Sequence, residues 1–403
     1  MQNGFQPKKE ADRMSIWRGR HYQSNEITDF QVEYGAIQSI APSIERDRVR
    51  GGEQYWITPG LVDLQVNGFL GYDFGSAKIT PDGVEAVAQA LEGAGVTSFC
   101  PTVTTNAADR MEASLRTIAQ ACEARPLVQA RVAGIHLEGP FISPLDGPRG
   151  AHPRQYVRDP NWETFERFQA AAGGRIRLVT LAPELPGGLE FIAKARTAGI
   201  VVAIGHHAAT RALIEAAVAA GAVLSTHLGN GAHQLIDRHN NYIWEQMAND
   251  DLLASIIVDG HHLPPAVVKS IYRVKGPQRL ILVSDAISAA GLPPGDYRLM
   301  DADIQVLASG RVQLKGTPYL AGSTLQLWSA IPNLMEMAGA SFSEAVSMAT
   351  ENPARLLGLG EGRGELVVGR RADLCLFRLV NSRFVLAMTI AAGEVCYQAA
   401  ESL

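Results

Sequence analysis

Cysteine is scarce in this sequence. Only Cys100, Cys122, Cys375 and Cys396 occur in 403 residues, and no two are spaced as a C-x-x-C metal pair. That argues against a disulfide scaffold or a cysteine zinc knuckle and fits free thiols in a reducing compartment. Charge of one sign is also lacking. The net charge is -5 and no block of Lys and Arg appears, which weighs against a nucleic-acid-binding surface. No apolar run approaches a membrane span, and Met1 to Arg20 is polar and charged without the apolar stretch of a secretion signal. The expectation is a cytoplasmic protein. No G-x-G-x-x-G opens the first helix, which weighs against a dinucleotide-binding fold.

What is present is a repeated design. Val132 to Ile135 is an apolar run that leads through His136 and Leu137 to Glu138 and then Gly139-Pro140. This reads as a buried strand that delivers a carboxylate to a rim where the chain turns. Val201–Gly205 ends in His206-His207, Val223–Thr226 in His227, Ile256–Gly260 in His261-His262, and Leu280–Ser284 in Asp285. Five apolar runs each hand a metal-type or acid/base side chain to a strand's C-terminal end, where a parallel (β/α)8 barrel keeps its chemistry.

Eight candidate strands lie between Pro59 and about Leu359: 61–67, 97–105, 132–141, 177–183, 201–206, 224–230, 254–261 and 280–286. Helical periodicity between them, as at 81–94, 107–124, 189–198, 211–220 and 265–274, argues for parallel strands with right-handed crossovers. Residues 297–313 look like an extended insertion before helices at 325–338 and 343–357. Both ends have strand texture instead: a Gly-turn hairpin from Ile27 to Ile40, a strand at 52–58, and short strands over 364–400 after a loose tail of about 15 residues. Neither end alone is long enough to bury a core. The expected fold class is therefore α/β. A (β/α)8 TIM-type barrel spans 59–363, and a small β-sandwich domain is formed from both termini, 1–58 plus 364–403.

Glu138, His206 and His227 can build one metal site. Imidazole and carboxylate together suit a borderline divalent ion such as zinc or iron, and three protein ligands leave a position for water. Any one of these residues alone reads more readily as structural or as a surface residue; three on one rim do not. Asp285 is the acid/base candidate, with a helix cap as its plainer reading. His207 and His261 are neighbours that strand alternation turns away from the barrel axis. His21 and His239 are expected at the surface. The amides of Asp63-Leu64-Gln65-Val66-Asn67-Gly68 are poor metal ligands.

These residues resemble the amidohydrolase superfamily and, within it, the N-acetylglucosamine-6-phosphate deacetylase family. The resemblance runs through Thr58-Pro59-Gly60-Leu61-Val62-Asp63, His136-Leu137-Glu138-Gly139-Pro140, Gly205-His206, Thr226-His227-Leu228 and Ser284-Asp285-Ala286. It continues through Leu320-Ala321-Gly322-Ser323, Ala349-Thr350-Glu351-Asn352-Pro353-Ala354 and Ala372-Asp373-Leu374. It implies that Glu138, His206 and His227 hold the metal and that Asp285 is general base, then acid. It also implies that His152, next to Ala151, polarises the amide carbonyl, and that Asn230 and Gly231 bind the sugar. Arg238 and His262 would reach the phosphate, Arg238 from a second subunit of a homodimer. Leu320, Ala321 and Gly322 would close over the acetyl group.

Two departures bear on this. The superfamily's His-x-His is Gln65-Val66-Asn67 here, which implies a single ion, with zinc the first expectation. The family's aromatic-Asn-Ala-Met run is Gly229-Asn230-Gly231-Ala232-His233. The implied reaction is metal-dependent hydrolysis of the acetamide of N-acetylglucosamine 6-phosphate. Beside it stand an amidohydrolase acting on a different N-acyl compound and an inactive relative kept as a binding or assembly module.

Overall fold

A computed structural model of the chain describes residues 14–45, 48–299, 302–317, 320–360 and 362–400. Most of the expected N-terminal tail lies outside the described residues, but Met14 and Ser15 already belong to a strand, Met14–His21.

Eight strands hydrogen-bond in sequence order: Leu61–Val66, Val96–Thr104, Ile135–Glu138, Ile176–Leu181, Val201–Ile204, Ala222–Ser225, Leu253–Ile256 and Leu280–Leu282. They are called barrel strands one to eight below. Each strand pairs with the next in parallel. Strands one and eight approach each other through a parallel bridge from Val66 to Ala286, and the Asn67 amide donates to the Ala286 carbonyl at 2.7 Å. The fold is a (β/α)8 barrel of TIM type with an additional sheet from the termini. All six residues of strand one are buried, as expected when both faces of a strand are covered.

Helices wrap the outside, and local chemistry sets their ends. Thr80 caps Pro81–Glu92 by accepting from the Gly83 amide, with proline preset at the first turn. Asn161 caps Trp162–Ala171, a helix not named from the sequence. Ser341 and Glu344 form a reciprocal capping box for Phe342–Ala349. The single helix expected over 343–357 is interrupted. Thr350 leaves helical geometry at φ -135°, ψ -79°, and a second helix runs Glu351–Leu356. Pro353 explains the break, since its ring would clash with the Ala349 carbonyl four residues back. The strand expected over 132–141 is confined to Ile135–Glu138, between Gly134 at φ 153° and a proline at 140.

The terminal strands form one seven-stranded sheet. Its order is Glu394–Gln398, Arg383–Ala391, Leu374–Val380, Val49–Pro59, Met14–His21, Ile27–Glu33, Ala36–Pro42. Val49–Pro59 pairs with Leu374–Val380, so both termini meet immediately before barrel strand one. His21 is not a surface residue: it is half-buried and stacked on Tyr22 and Phe30. After barrel strand eight, Gly295–Leu299, Ala302–Val306 and Val312–Leu314 make a small antiparallel sheet. It has its own core of Ile304, Val306 and Val312 packed with Ile287 and Ala321.

Candidate active site

The C-terminal ends of the barrel strands surround a cavity of about 260 Å³. It is lined by Glu138, Ala151, His152, His206, His227, Asn230, Gly231, His262, Asp285, Leu320, Ala321 and Gly322, joined by Asn67, Asp73, Thr104, Ile287 and Ser288 among others. Every residue named from the sequence for the site is therefore brought together except Arg238. Arg238 is exposed on the loop after strand six and does not line the cavity of its own chain. Its carbonyl accepts from Trp244 Nε1 at 3.2 Å.

One ligand atom each from Glu138, His206 and His227 lies within 4.8 Å of the others, and all three residues are buried. His206 Nδ1 lies 2.8 Å from the Pro148 carbonyl and donates to it, so Nε2 is the nitrogen that faces Glu138 and His227. His227 Nε2 lies 3.1 Å from Glu138 Oε1. Burial alone would raise the Glu138 carboxyl, but hydrogen bonds and charge from His206 and His227 outweigh it and hold it well below its ordinary value. Burial alone would lower the His227 imidazole; Glu138 outweighs it, Asp285 adds to that, and the net direction is up. The environment thus keeps a carboxylate ionised and favours positive charge beside it. A two-imidazole, one-carboxylate donor set in such a pocket fits a divalent cation.

The backbone makes these presentations at a cost. His206, His227 and Asp285 have φ of 52°, 30° and 49°, in the left-handed region that side chains avoid. Such residues cost about 1–3 kcal/mol each and persist where the surrounding structure dictates them. Close approach also restricts what surrounds them. Gly231 has φ 58°, and a Cβ there would lie 2.8 Å from His206 Nδ1. Beneath the loop after Glu138, Phe141 packs on Phe191 with ring centroids 5.1 Å apart, and Phe165 and Trp162 pack on the same ring.

Asp285 starts no helix, so the cap reading fails. Burial pushes its carboxyl up to about 6, and the charge of Glu138 acts in the same direction. Asn67 Nδ2 donates to Asp285 Oδ1 at 2.7 Å, and Gln65 Nε2 donates to Glu138 Oε1 at 2.8 Å. The two amides read as poor ligands are hydrogen-bond donors to the two carboxylates. Their spacing, two apart at the end of strand one and so on one face, placed both at the rim but did not name their partners. Burial, then His206, pushes the His152 imidazole down to about 3, and its Nδ1 lies 2.8 Å from Thr105 Oγ1. His262 Nδ1 donates to Asp259 Oδ2 at 2.7 Å, which leaves Nε2 to meet a ligand. Burial would raise Asp259; the hydrogen bond and charge of His262 outweigh it and hold the carboxyl down. Asp73 also lines the cavity, and burial pushes it up to about 6.

The other histidines fall outside the cavity. His207 is buried against Tyr242, its imidazole pushed down to about 4 by burial. His261 Nε2 donates to the Ser309 carbonyl and ties the small sheet to strand seven's loop. His136 bridges the Leu64 carbonyl and Thr180 inside the barrel wall, and His239 is exposed. The four cysteines are free thiols, and among the described residues no helix is long and apolar enough to cross a membrane.

The model of the amidohydrolase family matches residues 56–396. An N-acetylglucosamine-6-phosphate deacetylase of Bacillus subtilis (strain 168) is 32% identical over 348 residues, 86% of each chain. An N-acetylgalactosamine-6-phosphate deacetylase of Escherichia coli O157:H7 is 34% identical over 363 residues, 89% of this chain and 94% of that one. Among solved structures, a mutant N-acetyl-D-glucosamine-6-phosphate deacetylase of Mycobacterium smegmatis, in complex with N-acetyl-D-glucosamine-6-phosphate, superposes with a TM-score of 0.84. It is 31% identical, over 95% of this chain and 99% of that one.

Proposed function

The chain belongs to the amidohydrolase family, and from that premise we propose that it hydrolyses the acetamide of N-acetylglucosamine 6-phosphate to glucosamine 6-phosphate and acetate. The observation that carries the reading is the convergence of Glu138, His206, His227, Asp285 and His152 on one cavity, in a chain whose relatives act on N-acetylated amino-sugar phosphates.

Glu138, His206 and His227 hold one divalent ion, with zinc the first choice. Such an ion supplies Lewis acidity, which acidifies water and draws charge from a carbonyl. Gln65 and Asn67 occupy the positions where further imidazole ligands would stand, which favours a single ion. Asp285 takes the proton of the attacking water and returns it to the departing nitrogen. His152, with Nδ1 engaged by the Thr105 hydroxyl, presents Nε2–H to the carbonyl oxygen as negative charge gathers there. Depression of its pKa keeps the ring a neutral donor.

Asn230 and Gly231 line the sugar side, and His262 faces the phosphate. Arg238, exposed and outside its own cavity, serves the phosphate of a partner's site in a homodimer. The neighbouring exposed side chains Leu235 and Trp244 fit an interface there. The setting is cytoplasmic amino-sugar metabolism. Comparing N-acetyl amino sugars of both epimers, with and without a 6-phosphate, tests the reading. Preference for the phosphorylated gluco sugar is expected; preference for the plain sugar rejects the phosphate assignment, and preference for the galacto epimer rejects the sugar.

A further inference from the structure

The cavity is poor in fixed positive charge. Among the described residues no Lys or Arg lines it, while the carboxyl groups of Asp73, Glu138 and Asp285 do. On the side of strands six and seven, Asn230 and Gly231 offer neutral groups. A phosphate dianion placed beside them calls for a charge-assisted donor. The residue of its own chain that can supply one there is His262.

The chain after strand seven is folded to hold one nitrogen of His262 and free the other. Asn333 Nδ2 donates to the Val258 carbonyl at 2.7 Å and ties down the start of the loop. Gly260 turns at φ 79°, in the left-handed region, and the chain doubles back. Asp259 Oδ1 then accepts from the His261 and His262 amides, both at 2.8 Å. Its other oxygen, Oδ2, meets His262 Nδ1 at 2.7 Å, and both side chains are only 9% exposed. An ionised carboxylate only accepts, so Nδ1 carries a proton. While the ring is neutral, Nε2 is then a bare acceptor, and the oxygens of a phosphate dianion are acceptors too. Nε2 can donate to them only when the ring holds both protons, with the Asp259 carboxylate beside it to balance the charge. The other titratable groups on the cavity wall are Asp73, Glu138, His152, His206, His227 and Asp285, with Asp285 close enough to feel the ring's charge. His261, the neighbour in sequence, is engaged by the Ser309 carbonyl.

We propose that Asp259 is a positioning residue that makes phosphate recognition proton-dependent: the phosphorylated sugar is bound with His262 doubly protonated, so its binding takes up a proton that binding of the plain sugar does not. The inference rests on the sugar-phosphate reading above.

The test is the ratio of kcat/KM for N-acetylglucosamine 6-phosphate to that for N-acetylglucosamine, followed between about pH 7 and 9, where a phosphate monoester is already a dianion. Asp285 and the metal ligands serve both substrates and cancel in the ratio. The ratio is expected to fall as pH rises, by up to about tenfold per unit for one linked proton. An arginine supplied by a second subunit stays charged over this range and gives no such slope. Asp259→Asn keeps an oxygen for the two backbone amides and turns a nitrogen toward His262 Nδ1. That nitrogen donates, so the neutral ring carries its proton on Nε2, and the ratio should lose its slope. A merely structural Asp259 would lower the ratio at every pH and leave the slope in place. Calorimetry supplies the second measurement. Binding of N-acetylglucosamine 6-phosphate to metal-loaded, slow Asp285→Asn protein, in two buffers of different ionisation heat near about pH 8, should take up about one proton. Adding Asp259→Asn should abolish that uptake. A flat ratio in the parent, a slope unchanged by Asp259→Asn, or binding without proton uptake overturns the proposal. No preference for the phosphorylated sugar at any pH would instead overturn the sugar-phosphate reading beneath it.

Discussion

Gln65 Nε2 donates to Glu138 Oε1 at 2.8 Å across 73 residues of chain. If Glu138 holds the metal as proposed, this amide orients its carboxylate from outside the ligand set. Groups that orient metal ligands in this way typically govern affinity by about 10- to 100-fold. Gln65→Leu is therefore expected to weaken metal retention by about that factor while the barrel stays folded. Chelator competition checks it, and unchanged affinity would make the contact incidental.

Asp285 is held by Asn67 and raised by burial. Asp285→Asn should keep fold and metal and lose roughly 100- to 10,000-fold in kcat. The base must be ionised, so activity falls as pH drops through its pKa. Burial and Glu138 place that at about 6. A bound cation acts in the opposite direction, so the acid limb is expected at or below about 6. A metal-loaded Asn variant with near-normal turnover would remove Asp285 from the mechanism.

Arg238 lies outside its own cavity, so its loss should leave kcat for a plain N-acetyl sugar nearly untouched. For the phosphorylated sugar Arg238→Ala should raise KM by about tenfold or more, the scale of a charged hydrogen bond. Mixing Arg238→Ala with Asp285→Asn subunits should restore activity, because one hybrid site holds both native residues. No restoration would confine Arg238 to its own chain or to no role.

Asp63 spans barrel strands one and eight, accepting from the amides of Gln65 and Ser284, while its Oδ2 is buried without a partner. Burial pushes its pKa from 3.8 to about 7. The folded chain therefore holds this proton more tightly than the unfolded chain. Stability contributed by the group is present below the unfolded value and is lost as pH rises toward about 7. Asp63→Asn mimics the protonated form. It should change Tm little at pH 4 and raise it relative to the parent at pH 8. An equal shift at both values would show that the carboxyl is already ionised in the fold.

The barrel was legible because its strands are covered on both faces and so read as short apolar runs ending in polar residues. Glu138, His206, His227 and Asp285 stood out for that reason. The supporting contacts were not legible. Asn67 meets Asp285 across 218 residues and Thr105 meets His152 across 47, and nothing local marks either pairing. Nothing in the sequence singles out Asp73; the fold places it in the cavity wall. The break at Thr350 could have been read from Pro353, which lacks the amide that would donate to the Ala349 carbonyl in one unbroken helix.

The most direct test of the central claim is acetate release from N-acetylglucosamine 6-phosphate by purified protein of measured metal content, before and after chelation. Release in step with free amine, lost on chelation and restored by about one equivalent of divalent ion per chain, is the expected result. Metal-loaded protein that releases no acetate, or metal-free protein that releases it at the same rate, would contradict it.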